Sequence, residues 1–429
     1  MEFPVYEIDA DQHYVFDCLD EAQGNFFLTG KAGTGKSTLL QAFRRISDKK
    51  AIYLAPTGVA AIHIKGQTIH SFFKFPPGWI RASDYRPLNA KLLEHVDWII
   101  IDEISMVRAD LLDHIDQLLR RSLKSSVVFG GKPMLWIGDL FQLPPVITHL
   151  DERNMLASLY ESPYFFSSKA FQSLKHFEMI ELQKIHRQKD LHFIRLLNKI
   201  RENQLEPEDL EEINAQCLFQ SDFKRSGDMR IQLCTTNRAA QIYNAQQLEA
   251  LTSQSVIYPA RIEGQVLSSQ FPADEYLVLK EGAQVMFLRN DPQKKYANGM
   301  LGVVETLHPE RAKVRIPETG DCIEVEPVAW EVLKYKLSEG PRPELQTEVT
   351  GIFKQLPLKL AWAVTIHKSQ GKTFESVDID FGSGAFDFGQ VYVAFSRCKT
   401  LQGIQLKRPL KLSDVRTDER VLDFLNAHR

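Results

Sequence analysis

The chain has 429 residues, of which 44% are hydrophobic and 25% charged, and its formal net charge is −3. That length exceeds what one hydrophobic core sustains, so several domains are expected, and no apolar run is long enough to span a membrane. A slightly acidic total excludes capture of a polyanion by a global field, so any such surface has to be a local basic groove.

The opening residues Met1-Glu2-Phe3-Pro4 lack the basic and apolar regions of a secretory signal. Five scattered cysteines (Cys18, Cys217, Cys234, Cys322, Cys398) never form C-x-x-C, which points to a reducing compartment and away from a zinc site. A cytoplasmic chain is expected. Asp11 to Leu19 reads as a short helix leading into an apolar strand, Asn25-Phe26-Phe27-Leu28-Thr29. Next comes Gly30-Lys31-Ala32-Gly33-Thr34-Gly35-Lys36-Ser37, with the G-x-x-x-x-G-K-[ST] spacing of a phosphate-cradling loop. The following helix puts Leu39, Leu40, Phe43 and Ile46 on one face. Strand, glycine loop and helix is the context this motif needs. Backbone N–H groups curl around a polyphosphate at the positive end of the helix. Lys36 reaches the outer phosphates and the Ser37 hydroxyl binds Mg²⁺.

Three more apolar strands, 51–54, 98–101 and 134–137, each end in polar or glycine residues. This is the pattern of a parallel sheet covered on both faces, whose ligands gather at the carboxyl ends. One end carries Asp102-Glu103. Facing the loop, one carboxylate would hold the Mg²⁺ shell while its neighbour orients and deprotonates water, although an isolated D-E pair is more often plain surface. Another end, Gly138 to Val146, offers Gln142 to the terminal phosphate, and an exposed glutamine in a proline-rich loop is an equally good reading of that stretch alone. Between 51 and 90, Lys65, Lys74, Arg81 and Arg86 interleave with Phe72, Phe73, Phe75, Trp79 and Tyr85. Single-strand binders combine such a basic track with stacking faces, at about 1–3 kcal/mol per stacked base, though at least half of these aromatics are expected in the core.

Farther on, 202–212 is acidic and reads as solvated surface. A second core begins near Ile231. From 277 to about 335 short alternating strands with the turn signal Asn298-Gly299 suggest a small barrel inserted into that core, with 340–343 as its exit linker. Arg187 and Arg397 stand out because a guanidinium entering across a cleft accelerates phosphoryl transfer by roughly 10³ to 10⁵.

Taken in order, these motifs resemble superfamily 1 DNA helicases, and within them the Pif (petite integration frequency) family, from about Gln12 to Ile404. Ala55-Pro56-Thr57-Gly58-Val59-Ala60-Ala61 and Gly66-Gln67-Thr68-Ile69-His70-Ser71-Phe72 are similar to its first DNA-contacting motifs. Ile101 to Met106 and Gly138 to Val146 match its second and third motifs, and Phe129-Gly130-Gly131 ends its signature segment. Thr365 to Gly371 resembles the fifth motif and Val391 to Arg397 the sixth. His186 stands where the family usually has Phe, and Phe395 where Leu is commoner.

The resemblance implies an α/β fold of two RecA-like P-loop cores, parallel sheets flanked by helices. The first spans 1–180 with a small wedge at 61–80, the second 181–276 and 358–429, with an SH3-like barrel at 277–357. It implies ATP between the cores, held by Gln12, Gly30, Ala32, Gly33, Thr34, Gly35, Lys36, Ser37, Thr38, Gln370 and Gly371. Mg²⁺ would sit on Ser37 and Asp102, and catalysis would use Lys36, Glu103, Gln142, Arg187 and Arg397. Single-stranded DNA would cross the top at Thr57, Gly58, His70, Phe72, Thr235, Asn237, His367 and Ser369. Movement would run 5′→3′ on forked or G-quadruplex DNA, by a nucleoid-associated monomer that DNA can pair into a dimer, serving repair, replication or telomere maintenance. Two other readings stay open: a nucleotide-switched single-strand binder that never unwinds, and a ring ATPase acting on protein. The second is disfavoured by an arginine finger within the same chain.

Overall fold

The structure is a computed structural model and describes residues 10–21, 24–76, 78–147, 150–218, 229–317, 319–338 and 344–428; residues 1–4 and the linker expected at 340–343 lie outside them. A six-stranded parallel sheet runs in the order Gln67–Thr68, Ala51–Ala55, Trp98–Ile101, Met134–Ile137, Phe26–Gly30, Glu178–Leu182. The four longer inner strands are buried along their whole length, as their unbroken apolar runs require. Alternate residues serve opposite faces. Phe27, Ile52, Leu54, Ile99, Ile101 and Trp136 enter one hydrophobic cluster, and Phe26, Leu28, Tyr53, Trp98, Ile100, Leu135 and Ile137 the other.

The helix Lys36–Ile46 packs Leu39, Leu40 and Phe43 on the second face, each worth roughly 1.5–3 kcal/mol when fully buried. Ile46, expected on that stripe, is 64% exposed because the helix ends there. Gln67–Thr68, inside the expected wedge, pairs with Leu54 and Ala55 as the sheet edge. Thr68 then caps the helix Ile69–Phe73 by accepting from the Ser71 N–H at 3.1 Å.

A second parallel sheet has the order Ala363–Thr365, Ile231–Cys234, Val377–Asp380, Ile404–Leu406. Between its first two strands in sequence lies the antiparallel part of the molecule. Its five-stranded sheet orders Cys322–Val325, Ala312–Arg315, Leu301–Leu307, Gln284–Phe287 and Leu358–Leu360. Antiparallel strands begin at Val256, well before the 277 read from the sequence. Val256–Pro259 and Arg261–Gly264 are mostly solvent-facing and carry no period-two signal. Within Gln284–Phe287, Val285 and Phe287 enter the insertion's own core while Met286 joins the large cluster that runs through both parallel sheets.

That shared cluster ties the cores together. Phe193, Leu196 and Ile200 of the helix Leu191–Arg201 lie in it between Trp136 of the first sheet and Ile231 and Ile379 of the second. The last helix, Glu419–His428, returns to the first core, where Phe424 stacks on Phe166 at 4.3 Å and meets Phe27 at 6.1 Å. The acidic stretch is not all solvated: Asp209 is buried, bonded to Lys199 at 2.6 Å and to the Glu206 N–H at 3.0 Å. From the insertion, the hairpin Val328–Leu337/Leu345–Gln355 reaches the first sheet. There the Tyr335 hydroxyl accepts from the Tyr53 N–H at 2.9 Å, a donor that the two-residue edge strand does not reach. No described helix is long and apolar enough to cross a membrane.

Candidate functional site

The phosphate loop leaves the strand Phe26–Gly30 and enters its helix at Lys36. Gly33 and Gly35 have φ of 87° and 86°, a region that L side chains rarely adopt. A Cβ on Gly33 would lie 2.6 Å from the Cβ of Arg187, so the close approach of that arginine depends on this glycine. Lys36 Nζ donates to the carbonyls of Gly30 at 2.6 Å and Lys31 at 3.2 Å. Burial lowers its pKa against the opposing pull of Asp139, Glu103 and Asp102, so three carboxylates surround the ammonium. Thr34 is buried and donates to the Lys31 carbonyl at 2.9 Å, which makes it a brace of the loop, whereas Thr38 is exposed. Gln12 is buried with its side-chain amide beside Gly35.

Asp102 and Glu103 lie where the strand Trp98–Ile101 ends. Glu103 has a left-handed backbone (φ 52°), strain of about 1–3 kcal/mol in a residue other than glycine. It turns its N–H onto Asp102 Oδ1 at 2.9 Å. Burial and the Glu103 charge push Asp102 up to about 7, against the Glu103 N–H and Lys36. Burial also raises Glu103, opposed by Lys36 and Arg397. A buried Asp102 beside a half-buried Glu103, both lifted in this way, fits a divalent cation with Asp102 and the half-buried Ser37 as its oxygen ligands.

From beyond the first sheet three side chains converge on this pocket. Arg187 Nη1 donates to the Ser396 carbonyl at 3.1 Å, and Gln188 Nε2 to the carbonyls of Ser396 and Cys398 at 3.2 and 3.0 Å. Arg397 is 1% exposed and donates to the carbonyls of Val393, Ser369 and Lys372 and to the Ser396 hydroxyl. Burial and then the neighbouring Arg187 lower its pKa to about 9, while Tyr392, Glu103 and Asp139 oppose that shift. Both guanidiniums are therefore held by neutral oxygens, and the Glu103 and Asp139 carboxylates lie near Arg397. Gln142 is buried and accepts from Gln370 Nε2 at 3.3 Å, so Gln370, expected on the nucleotide, meets the third-motif glutamine; Gly371 is exposed.

The residues expected on nucleic acid divide. Thr57 and Asn237 are exposed at the carboxyl ends of the two sheets, with Gly58 and Thr235 half-buried beside them. Thr57 caps the helix Gly58–His63, accepting from the Ala60 N–H at 3.2 Å. In the second core that role falls to Thr236, capping Asn237–Ala250 through the Ala239 N–H at 3.2 Å, rather than to Thr235. His70 and His367 are half-buried and burial lowers both pKa values, which leaves neutral rings at neutral pH. Phe72 is 9% exposed and packs edge-on against Phe73 and Tyr335, so it offers no free stacking face. Phe73, Phe75 and Tyr85 are buried as well. Ser369 is fully buried, its hydroxyl donating to the Ile366 carbonyl at 2.7 Å and its carbonyl accepting from Arg397, which places it in the nucleotide pocket's frame.

Sequence reading missed a set of lysines. Burial lowers Lys359 to about 7 and Lys372 to about 8, with Lys368 and Lys372 adding repulsion at Lys359 and Asp274 opposing it. Lys372 lies along the Asn298-Gly299 turn, its ammonium 3.0 Å from Asn298 Oδ1, and its charge reaches His63 of the first core. Strand Leu358–Leu360 and the end of the fifth motif thus bring lysines to one junction beside His63 of the first core.

Two parallel α/β cores meeting at one loop-and-arginine pocket have the architecture of the RecA-like P-loop class. The PIF1-like helicase family matches residues 7–211. The chain is 31% identical over 420 residues to the ATP-dependent DNA helicase Pif1 of Bdellovibrio bacteriovorus, covering 94% of this chain and 89% of that one. Unliganded Pif1 from Bacteroides sp. superposes with a TM-score of 0.88 at 37% identity, covering 98% of this chain and 96% of that one. Bacteroides Pif1 in complex with ADP-AlF3 and ssDNA gives 0.70 at 37% identity, covering 98% and 97%. The chain belongs to the PIF1-like helicase family, whose matched relatives are named ATP-dependent DNA helicases. It spans 58% of the length of some longer relatives.

Proposed function

We propose that the chain hydrolyses ATP between its two cores, translocates 5′→3′ on single-stranded DNA and thereby unwinds forked or G-quadruplex DNA. The supporting observation is that Arg187 and Arg397 converge on the pocket of Lys36 and Glu103. In the proposed cycle the triphosphate draws Lys36 from its loop carbonyls. Arg187 and Arg397 exchange neutral carbonyl partners for phosphate oxygens, and such charge-assisted bonds are about twice as strong. A ligand shifts a conformational equilibrium only through differential contacts of this kind. Mg²⁺ on Ser37 and Asp102 would supply charge neutralisation for the phosphates. Glu103, its pKa raised by burial, takes a proton from the attacking water. Gln142 then loses its phosphate contact and relays the change through Gln370 to the fifth-motif loop. Thr57 and Thr236 at matching helix starts, with His70 and His367, would grip the strand alternately. The lysine junction would hold phosphates between the cores and the insertion. Polarity rests on family membership, and a nucleoid-associated monomer pairing on DNA fits the same reading.

The test is ATP turnover with and without single-stranded DNA, followed by strand separation on matched duplexes with a 5′ or a 3′ tail. DNA-stimulated turnover and unwinding of the 5′-tailed substrate alone are expected. Unwinding of only the 3′-tailed substrate overturns the polarity, and stimulated turnover without unwinding would leave a nucleotide-switched binder.

A further inference from the structure

Asp139, at the end of the strand Met134–Ile137, is 1% exposed. Its Oδ1 accepts from the Arg201 guanidinium at 3.3 Å and the Phe141 N–H at 3.2 Å. Its Oδ2 accepts from the Gln142 side-chain amide at 3.4 Å and the Tyr392 hydroxyl at 3.2 Å. That same hydroxyl accepts the backbone N–H of Ala32, in the phosphate loop, at 2.9 Å. One phenolic oxygen therefore joins the loop, the third-motif carboxylate and the second core's helix Gln390–Ser396.

The surroundings keep this bridge in one state. Tyr392 is 3% exposed, and burial followed by the Asp139 charge drives its pKa far upward, so the hydroxyl retains the proton it donates. Arg201 is fully buried, its guanidinium 3.9 Å from the centre of the Phe141 ring and, besides Asp139, 3.6 and 3.9 Å from the carboxylates of Glu202 and Glu181. Asp139, Glu181 and Glu202 together offset the cost of burying that cation, and the ion pair fixes Asp139 in place as the acceptor for the Tyr392 hydroxyl. Arg397 sits at the C-cap of the Tyr392 helix and donates from Nε to the Val393 carbonyl at 2.9 Å, so a shift of Tyr392 carries Arg397 with it. Ala32 N–H belongs to the loop whose donors a phosphate oxygen competes for.

We propose that Tyr392 is a positioning residue for ATP hydrolysis: its hydroxyl sets the Gln390–Ser396 helix, and with it Arg397, against the phosphate loop and links that loop to Asp139 and Gln142. This rests on the reading of the pocket as an ATPase site. Neither Asp139 nor Tyr392 acts on the phosphate itself. Occupation of the loop removes the Ala32 partner from the hydroxyl, and the helix, still held by Asp139, takes a new register in which Arg397 serves the transition state.

Tyr392→Phe keeps the ring and removes both bonds. In the full chain with saturating single-stranded DNA, kcat should fall about tenfold to thirtyfold while KM for ATP stays within about threefold, as expected for loss of two ordinary hydrogen bonds felt in the transition state. A second readout is independent of turnover: affinity for ADP with aluminium fluoride should drop about tenfold while affinity for ADP alone is unchanged. Asp139→Asn should show the same split, and the double variant should fall little further than the worse single one, since the two act through one bridge. Unchanged kcat and unchanged fluoroaluminate affinity in Tyr392→Phe overturn the proposal. So do multiplicative losses in the double variant, or equal weakening of both nucleotide complexes. Wild type that shows no DNA-stimulated turnover would instead count against the ATPase reading, and the binding split would still decide the role of Tyr392.

Discussion

In the proposed nucleotide pocket the charged groups are buried or half-buried, and most are held by backbone atoms. Lys36 rests on loop carbonyls, Arg397 on those of Val393, Ser369 and Lys372, and Asp102 on the Glu103 N–H. On the proposed nucleic-acid face Thr57 and Thr236 are exposed, and the lysines of the junction come from the strand Leu358–Leu360 and from the segment 368–372. The contrast teaches that chemistry at a single reacting atom demands fixed geometry, whereas a grip on a repeating backbone demands many exchangeable contacts. Single substitutions should therefore be catastrophic in the first region and graded in the second.

The largest effect expected is from Arg397→Ala, a loss of roughly 10³ or more in kcat by analogy with other arginine fingers, with ATP affinity changed far less. Single-turnover hydrolysis measures it, and a loss below tenfold would remove Arg397 from the transition state. Glu103→Gln follows, with ATP still bound and turnover reduced about 10²- to 10⁴-fold. Retained turnover there would assign the base elsewhere.

The pocket was also the readable region. A loop motif needs consecutive residues, so Gly30 to Ser37, Asp102-Glu103 and the buried strands announce themselves locally. Asp139, Arg201 and Tyr392 were hidden because their partnership joins residues brought together only by packing of the two cores. Asp139 and Tyr392 even lie within the motifs that carry Gln142 and Arg397, but their residue types there have no chemistry of their own to announce. Local pattern also leaves a choice open: Thr235 and Thr236 are adjacent and identical, and the capping bond singles out Thr236. The final helix gave no sign that Phe424 belongs against the first core.

The lysine junction gives a graded test with a defined sign. The ordinary lysine pKa is 10.5, and burial takes Lys359 to about 7 and Lys372 to about 8. The folded protein releases these protons as pH rises through 7 to 8, while the unfolded chain holds them to near 10.5. More protons on the unfolded state mean that these two groups make stability rise with pH across that interval. DNA phosphates reverse the preference, because they favour the charged lysines. Single-strand affinity at fixed salt should therefore weaken about tenfold from pH 7 to 9, with proton uptake on binding measurable by calorimetry in buffers of different ionisation enthalpy. His63, Lys368 and Asp274 face the same junction, so Lys359→Met should flatten the profile only in part. An unchanged affinity from pH 7 to 9 would separate the junction from the DNA path.

Smaller still are the helix caps. Thr57→Ala and Thr236→Ala should each weaken single-strand binding about threefold to tenfold and lower stability by about 1 kcal/mol, measured by fluorescence anisotropy and urea unfolding. A loss confined to Thr235→Ala would return the grip to the neighbouring residue.

Phe72 is expected to move DNA binding least. Its ring is held edge-on between Phe73 and Tyr335, and Tyr335 is itself bonded to the first sheet. A stacked base is worth about 1–3 kcal/mol, so loss of a stacking Phe72 would raise Kd from about fivefold to more than a hundredfold. A packing Phe72 answers differently. Phe72→Leu should destabilise the chain by about 1–2 kcal/mol through lost contacts, yet leave single-strand Kd within about twofold. The two readings differ in which measurement moves. A Kd that rises tenfold with unchanged unfolding free energy would mean that the ring turns out of the core to meet the strand, and the division between a rigid pocket and an exchangeable face would have to be redrawn at the first core's edge.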